Sequence, residues 1–276
     1  RAHQDYGRLP WKRVVDPAIR LARDGFEVTY DLAGLLAARK ERLCRFEAAC
    51  RYFYKPGGEA YEPGERFVQP DLADTLEAIA TDGSDAFYKG WIAAKIVAEM
   101  EKHGGFIDAG SLAAYEPAIR DAARGTYRGY EVLAMPPPSS GGIHIVQMLN
   151  ILENFPMADF GAGSADALHA LAETARLAYA DRSKHLGDPD FYDVPAEWLM
   201  SKAYAKQLAA TIDMKQARPS SDVAPGVPPA YESPDTTHFS VIDRDGNVVS
   251  NTTTLNFSFG SGIAVTGAGF LLNNEM

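Results

Sequence analysis

The sequence predicts an α+β fold in which helices stack on sheets. The first three quarters of the chain contain mainly segments with helical spacing of apolar residues and few strand-like runs. The segment from Thr236 onward instead carries β-branched and aromatic residues on both sides of a turn. With 276 residues, of which 46% are hydrophobic, the chain can bury a large core in one large domain or two.

The helical segments are predicted from the spacing of apolar residues and from stop signals such as Gly25 and Gly104. We expect them over residues 11–25, 31–43, 71–81, 85–103, 112–115, 141–152, 165–184 and 195–212. In the helix over 165–184, Leu168, Leu171, Ala175 and Ala178 are expected to face inward. A strand is expected over 126–135, where three prolines end it, and residues 52–70 are expected to form a surface excursion.

The quartet Ser139-Ser140-Gly141-Gly142 opens one of these helices and allows two interpretations. The first amides of a helix are unpaired, so the quartet could bind an anion. A structural turn that packs a strand against a helix explains the same residues.

Charge and composition exclude some classes of protein. The formal net charge is −10 and the pI is near 5.1, without the basic stripe that nucleic-acid binding requires. No apolar run approaches the roughly 18 residues of a membrane helix. Cys44 and Cys50 have no further Cys or His nearby at ligand spacing, so we expect no metal site there.

The stretch from Tyr231 to Asp243 suggests a chemical function. A proline-rich linker over 219–234 runs into Asp235-Thr236-Thr237, followed by a strand that we expect to be buried. Asp243-Arg-Asp-Gly-Asn247 is a hairpin turn signal between two β-rich runs. If the Asp235–Thr236 bond breaks, Thr236 gains a free amine beside its hydroxyl, which is a known form of activated nucleophile. Thr-Thr at the start of a strand is also ordinary β chemistry.

Longer blocks carry a resemblance to a known family. They are Tyr231–Asn247, Met135–Phe155, Ala178–Ser183 with Leu186–Phe191, and Thr254–Asn256 with Leu271–Met276. In this order they resemble the γ-glutamyltranspeptidases, N-terminal-nucleophile hydrolases that split themselves into a large and a small subunit. The resemblance implies a four-layer αββα sandwich, and it extends over nearly the whole chain.

The resemblance also implies roles for particular residues. Thr236 would be the nucleophile, Asp235 and Thr236 would form the processing site, and His238 would assist processing or only pack. Thr254 would hydrogen-bond the nucleophile hydroxyl. Asn256, two residues further along the same strand and about 7 Å away on the same face, would orient the amine of the nucleophile or the substrate. Glu275 would accept a hydrogen bond from the substrate α-amine.

The same resemblance predicts how the chain is organised and where it acts. Residues 1–235 would be the C-terminal part of the large subunit and 236–276 the N-terminal part of the small one, together a heterodimer. Other family site residues lie beyond both ends of this sequence, so we expect an internal fragment of a longer precursor. The family is exported, which predicts a periplasmic or secreted protein and favours a Cys44–Cys50 disulfide over two free thiols.

The predicted substrates are glutathione and other γ-glutamyl compounds, with water or amino acids and dipeptides as acceptors. Two alternatives stay open at the level of the sequence. One is an acylase of the same fold that accepts glutaryl side chains of β-lactams, which lack the substrate amine. The other is an unprocessed, non-catalytic member that only binds a peptide or a partner.

Overall fold

The computed structural model describes residues 1–223 and 236–274, which divide into two compact units. The first unit contains residues 1–117 and 236–274, and the second contains residues 118–223. Each unit combines helices with antiparallel strands, as the α+β prediction requires.

Helices are the main regular elements of both units. In chain order they are α1 (Ala2–Tyr6), α2 (Trp11–Asp24), α3 (Tyr30–Leu43), α4 (Glu47–Phe53), α5 (Pro70–Asp82), α6 (Ser84–Tyr88), α7 (Trp91–His103), α8 (Ala109–Ala114), α9 (Gly141–Leu152), α10 (Met157–Phe160), α11 (Ala165–His185), α12 (Ala196–Leu199) and α13 (Lys202–Ala209).

The strands of the described residues pair into three two-stranded antiparallel sheets. They are β1 (Phe26–Glu27) with β2 (Arg66–Phe67), β3 (Ala123–Tyr127) with β4 (Tyr130–Ala134), and β5 (Thr236–Ile242) with β6 (Val248–Thr254).

Several helix ends follow directly from the local sequence. The Thr29 hydroxyl accepts a hydrogen bond from the Leu32 amide at 3.2 Å at the start of α3, and the Ser164 hydroxyl caps α11 in the same way. Gly25 ends α2 with a φ of +77°, and a β-carbon there would lie 2.6 Å from the Phe67 carbonyl oxygen. Glycine is therefore required at this stop by conformation and by space.

Three predicted elements divide where the sequence was read as continuous. The segment 85–103 forms α6 and α7, which are separated at Gly90, because glycine is a poor helix interior residue. The segment 195–212 forms α12 and α13, and the Ser201 hydroxyl caps the second helix. The expected strand over 126–135 is a hairpin, because Arg128 and Gly129 adopt positive φ and form a tight turn.

The predicted inward face of α11 was wrong for its two leucines and is confirmed for Ala178. Its buried residues are Ala170, Glu173, Thr174, Leu177 and Ala178, whereas Leu168 and Leu171 are exposed. Glu173 can be buried because Arg176 and Arg218 both contact its carboxylate. An ion-paired glutamate therefore lies on the buried face of α11, which hydrophobicity alone does not predict.

The first unit has two principal hydrophobic clusters, and both include residues of the C-terminal segment, which we define as residues 236–274. One cluster contains Leu36, Leu43 and Phe53 and is completed by Ala264. The other contains Ile92, Ile96 and Met100 and is completed by Val265 and Ala268. Neighbouring residues of one short loop thus enter two different cores.

A disulfide joins Cys44, just after α3, to Cys50 in α4, which confirms the predicted pairing. Both cysteines pack against the first of these clusters. The disulfide therefore ties together two helices that contact the C-terminal segment.

Candidate active site

The candidate site lies at the open end of the β5–β6 hairpin. At the closed end, the Asp243 carboxylate accepts hydrogen bonds from the Asp245 and Asn247 amides and from Asn247 Nδ2, each at 2.9 Å. The hydrogen bonds from Asn247 hold the pKa of Asp243 below its ordinary value. The hairpin predicted from the turn residues is confirmed, and its register places Thr236 opposite Thr254.

The expectation that the first strand of this hairpin is buried was wrong. Every residue of β5 is exposed in the described structure, including Phe239 and Val241. Alternation of apolar and polar residues indicates that a strand has two different faces, but it does not supply the element that covers one of them.

Two threonine hydroxyls meet at the open end of the hairpin. Thr236 Oγ1 lies 3.2 Å from Thr254 Oγ1, within hydrogen-bonding distance. The Asn256 amide donates to Thr254 Oγ1 at 2.9 Å. The structure thus brings together the two hydroxyls that the sequence singled out, and it holds the second one through the backbone that follows it.

Asn256 does not lie on the strand, which corrects the predicted geometry. Strand β6 ends at Thr254, and Asn256 adopts a left-handed backbone conformation with a φ of +72°. Asparagine tolerates this conformation better than most residues, since its short polar side chain can hydrogen-bond locally. The turn directs its amide toward Thr254, so Asn256 contacts the site through its backbone.

His238 belongs to the next cross-strand pair on the same face as Thr236. Its Nδ1 is 2.8 Å from Thr252 Oγ1, and its Nε2 is 3.3 Å from the hydroxyls of both Ser240 and Ser250. These three hydroxyls were not singled out from the sequence. Their two-residue spacing on each strand, on the same face as Thr236, was the signal that could have identified them.

The last described residues return to the same place. The Asn274 amide donates to the Leu255 carbonyl at 3.3 Å, and Asn274 Oδ1 accepts from the Phe257 amide at 3.1 Å. Residue 274 is thereby held beside the turn that follows Thr254. Two predicted site residues, Asp235 and Glu275, lie outside the described residues.

Polar contacts from the helices hold the loops of the C-terminal segment. The Arg42 guanidinium donates to the carbonyls of Ser258 and Gly260, and Thr75 Oγ1 donates to the Ala268 carbonyl at 2.8 Å. The Tyr52 hydroxyl accepts from the Gly267 amide at 2.6 Å. None of these anchoring residues was identified from the sequence, because each lies far along the chain from its partner.

Glu99 is the buried carboxylate among these contacts. It accepts a hydrogen bond from the Thr266 amide at 3.2 Å, and His103 Nε2 lies 2.9 Å from it. Burial raises the pKa of Glu99, but the hydrogen bonds from Thr266 and His103 outweigh this effect. The net result is a pKa below the ordinary value, so the carboxylate is charged where it meets the C-terminal segment.

Two further features are absent from the described residues. These residues contain no group of three or more His, Cys, Asp or Glu side chains placed to hold a metal ion. None of the helices in 1–223 or 236–274 combines the length and apolarity that a membrane-spanning segment requires.

Solved structures place the fold in a class. The crystal structure of a γ-glutamyltranspeptidase from Helicobacter pylori matches 82% of this chain and 64% of its own, with a TM-score of 0.79 and 41% identity. That of a cephalosporin acylase from Bacillus halodurans matches 99% of this chain and 49% of its own, with a TM-score of 0.86 and 31% identity. The fold is that of the N-terminal-nucleophile hydrolases, as the sequence predicted.

Sequence comparison identifies the family. The family model described as gamma-glutamyltranspeptidase matches residues 1–276. The glutathione hydrolase proenzyme of Escherichia coli strain K12 is 53% identical over 272 residues, which are 98% of this chain and 47% of that protein. The chain belongs to the γ-glutamyltranspeptidase family. It spans about half the length of the curated relatives it matches.

Proposed function

We propose that this chain is part of a self-cleaving γ-glutamyltranspeptidase, or glutathione hydrolase, whose nucleophile is Thr236. The observation that carries the proposal is the 3.2 Å contact between the hydroxyls of Thr236 and Thr254 at the open end of an exposed hairpin. A paired hydroxyl is a poor nucleophile until a base is added, and a freed α-amine on the same residue supplies that base.

The first step is the making of the nucleophile. The Thr236 hydroxyl attacks the carbonyl carbon of Asp235, and an N-to-O acyl shift converts the amide into an ester. Water then hydrolyses the ester, which leaves a carboxylate on Asp235 and a free amine on Thr236. Thr254 orients the attacking hydroxyl, and His238 supports this step from the next cross-strand pair on the same face.

The second step is acyl transfer. The Thr236 amine takes the hydroxyl proton as the oxygen attacks the γ-carbonyl carbon of glutathione or another γ-glutamyl amide. The nitrogen of that amide bond takes the proton and leaves as an amine, and a γ-glutamyl ester remains on Thr236. The γ-glutamyl ester then passes to water or to an amino acid or dipeptide. Asn256 would orient the amine of the nucleophile or of the substrate, and Glu275 would accept a hydrogen bond from the substrate α-amine, with no metal or organic cofactor.

Cleavage would leave two subunits, with residues 1–235 in the large one and 236–276 in the small one. The contacts of Arg42, Tyr52, Thr75 and Glu99 with the C-terminal segment support a heterodimer that stays associated afterwards. Val265 adds hydrophobic burial to these contacts. The proposed location is the periplasm or the extracellular space, which the Cys44–Cys50 disulfide favours.

The experiment compares Thr236→Ala with Thr237→Ala in the full-length precursor. Thr237 is the chain neighbour on the opposite face of the same strand and provides a matched control. We expect Thr236→Ala to remain a single chain by mass spectrometry and to release no amine from a γ-glutamyl anilide, whereas Thr237→Ala cleaves and turns over. Cleavage and turnover by Thr236→Ala would refute the assignment, and an uncut, inactive wild type would favour a non-catalytic binder.

The similarity to a cephalosporin acylase supports one alternative, an acylase for glutaryl amides. A glutaryl group lacks the α-amine that Asn256 and Glu275 are proposed to recognise. We therefore expect kcat/KM to be higher for γ-glutamyl amides than for the matching glutaryl amides. The opposite order would favour the acylase.

A further inference from the structure

One face of the β5–β6 hairpin carries a continuous row of polar side chains. We call it the polar face, and it consists of the three cross-strand pairs Thr236–Thr254, His238–Thr252 and Ser240–Ser250. The hydroxyls of Ser240 and Ser250 lie 3.4 Å apart, and the His238 ring joins them to Thr252. These contacts therefore extend from the middle of the hairpin to the His238–Thr252 pair, which is the next pair on the same face as Thr236–Thr254.

These contacts are important because the Thr236–Thr254 pair lies farthest from the turn that sets the register of the hairpin. Thr236 and Thr254 form the last pair at the open end, and the turn that sets the register lies at the other end. A slip of one residue would move the Thr236 hydroxyl to the opposite face.

From this arrangement we propose that His238 and Thr252 are positioning residues that clamp the open end of the hairpin and keep the Thr236 and Thr254 hydroxyls in register. The proposal rests on the proposed function, because it names what holds the nucleophile of that reaction. His238 suits the role because its two ring nitrogens reach hydroxyls on both strands, at 2.8 Å and 3.3 Å. Hydroxyls can donate or accept, so either ring tautomer satisfies both contacts.

Substitutions at Thr252 separate this clamp from a simple strand preference. Valine keeps the branched shape and the β propensity of threonine but removes the hydroxyl, whereas serine keeps the hydroxyl and has the lower propensity. The clamp therefore predicts that valine is harmful and serine is not. A purely structural role of Thr252 in the strand predicts the reverse. Thr253→Val, on the opposite face, is the matched control.

The test uses the full-length precursor and measures processing, kcat and KM with a γ-glutamyl anilide. We expect Thr252→Val to slow processing and to lower kcat by about fivefold, the upper range for the loss of one cross-strand pair, with KM unchanged. Thr252→Ser and Thr253→Val should stay within about twofold of the wild type. Wild-type kcat in Thr252→Val, or an equal loss in either of the other two, would overturn the proposal.

Amide hydrogen exchange of the peptide over 236–242 provides a readout that does not depend on activity. Thr252→Val should accelerate exchange there by about fivefold relative to Thr253→Val, since exchange reports local opening. Equal exchange overturns the clamp, while an inactive wild type with the expected exchange would refute only the proposed function. If Thr252→Val does not fold, His238→Gln and His238→Phe decide in its place, because only glutamine keeps a donor and an acceptor. Equal exchange in those two variants would likewise overturn the proposal.

Discussion

The packing of residues 1–117 against the C-terminal segment can be tested at Val265. This side chain is 0% exposed and packs in the cluster with Ile92, Ile96 and Met100. Val265→Ala removes two methyl groups, which at about 0.8 kcal/mol each corresponds to roughly 1.6 kcal/mol of transfer free energy. The cavity left behind adds to this, so we expect the free energy of unfolding to fall by about 2–3 kcal/mol.

The assay is urea unfolding of the full-length precursor followed by circular dichroism. Val14→Ala is the matched control, because Val14 is 46% exposed on α2 and should change stability by less than about 0.5 kcal/mol. If the chain is processed as proposed, the same loss of free energy would weaken the association of the two subunits by about 30- to 150-fold. An equal effect of the two substitutions would refute the conclusion that Val265 anchors this segment.

Three further outcomes are expected. Thr254→Val should lower kcat by roughly 10- to 150-fold, because the hydrogen bond to the Thr236 oxygen is worth about 1.5–3 kcal/mol once that oxygen carries charge. Thr254→Ser should retain most of the activity. A kcat of Thr254→Val within twofold of the wild type would contradict this reasoning. The lowered pKa of Glu99 stabilises the fold above the unfolded value of about 4.5, and this contribution disappears as the pH falls through the folded value. Thermal melts from pH 3 to 7 should therefore change less for Glu99→Gln than for the wild type, and parallel curves would exclude the effect. Reductant should lower the stability of the wild type by about 2 kcal/mol, as expected for the short loop between Cys44 and Cys50, while a double serine variant should not respond.

The hairpin at the site could be predicted because its information is local. The turn Asp243–Asn247 sets the register, and an antiparallel register then pairs every residue before the turn with one at an equal distance after it. Thr236 and Thr254 are such a pair. Their contact was expected through the family resemblance, and the turn alone is sufficient to produce it.

Errors arose where local patterns allow two structures. Gly90 interrupts a run of helical spacing, and the spacing alone did not reveal a break between α6 and α7. Arg128 and Gly129 turn a run of β-forming residues back on itself, so that one expected strand became two. Asn256 was placed on a strand for the same reason, although the strand ends at Thr254 and Asn256 itself adopts a left-handed conformation.

The sequence by itself determined the α+β class, the family, the hairpin and the pairing of Thr236 with Thr254. Each of these depends on residues close along the chain or on long stretches of sequence that resemble the family. Only the tertiary structure showed that Arg42, Tyr52, Thr75 and Glu99 hold the C-terminal segment. These contacts join residues more than 160 positions apart, and their partners are mostly backbone atoms. Backbone carbonyls and amides are present in every residue, so no side-chain pattern in the sequence marks which of them will be bound.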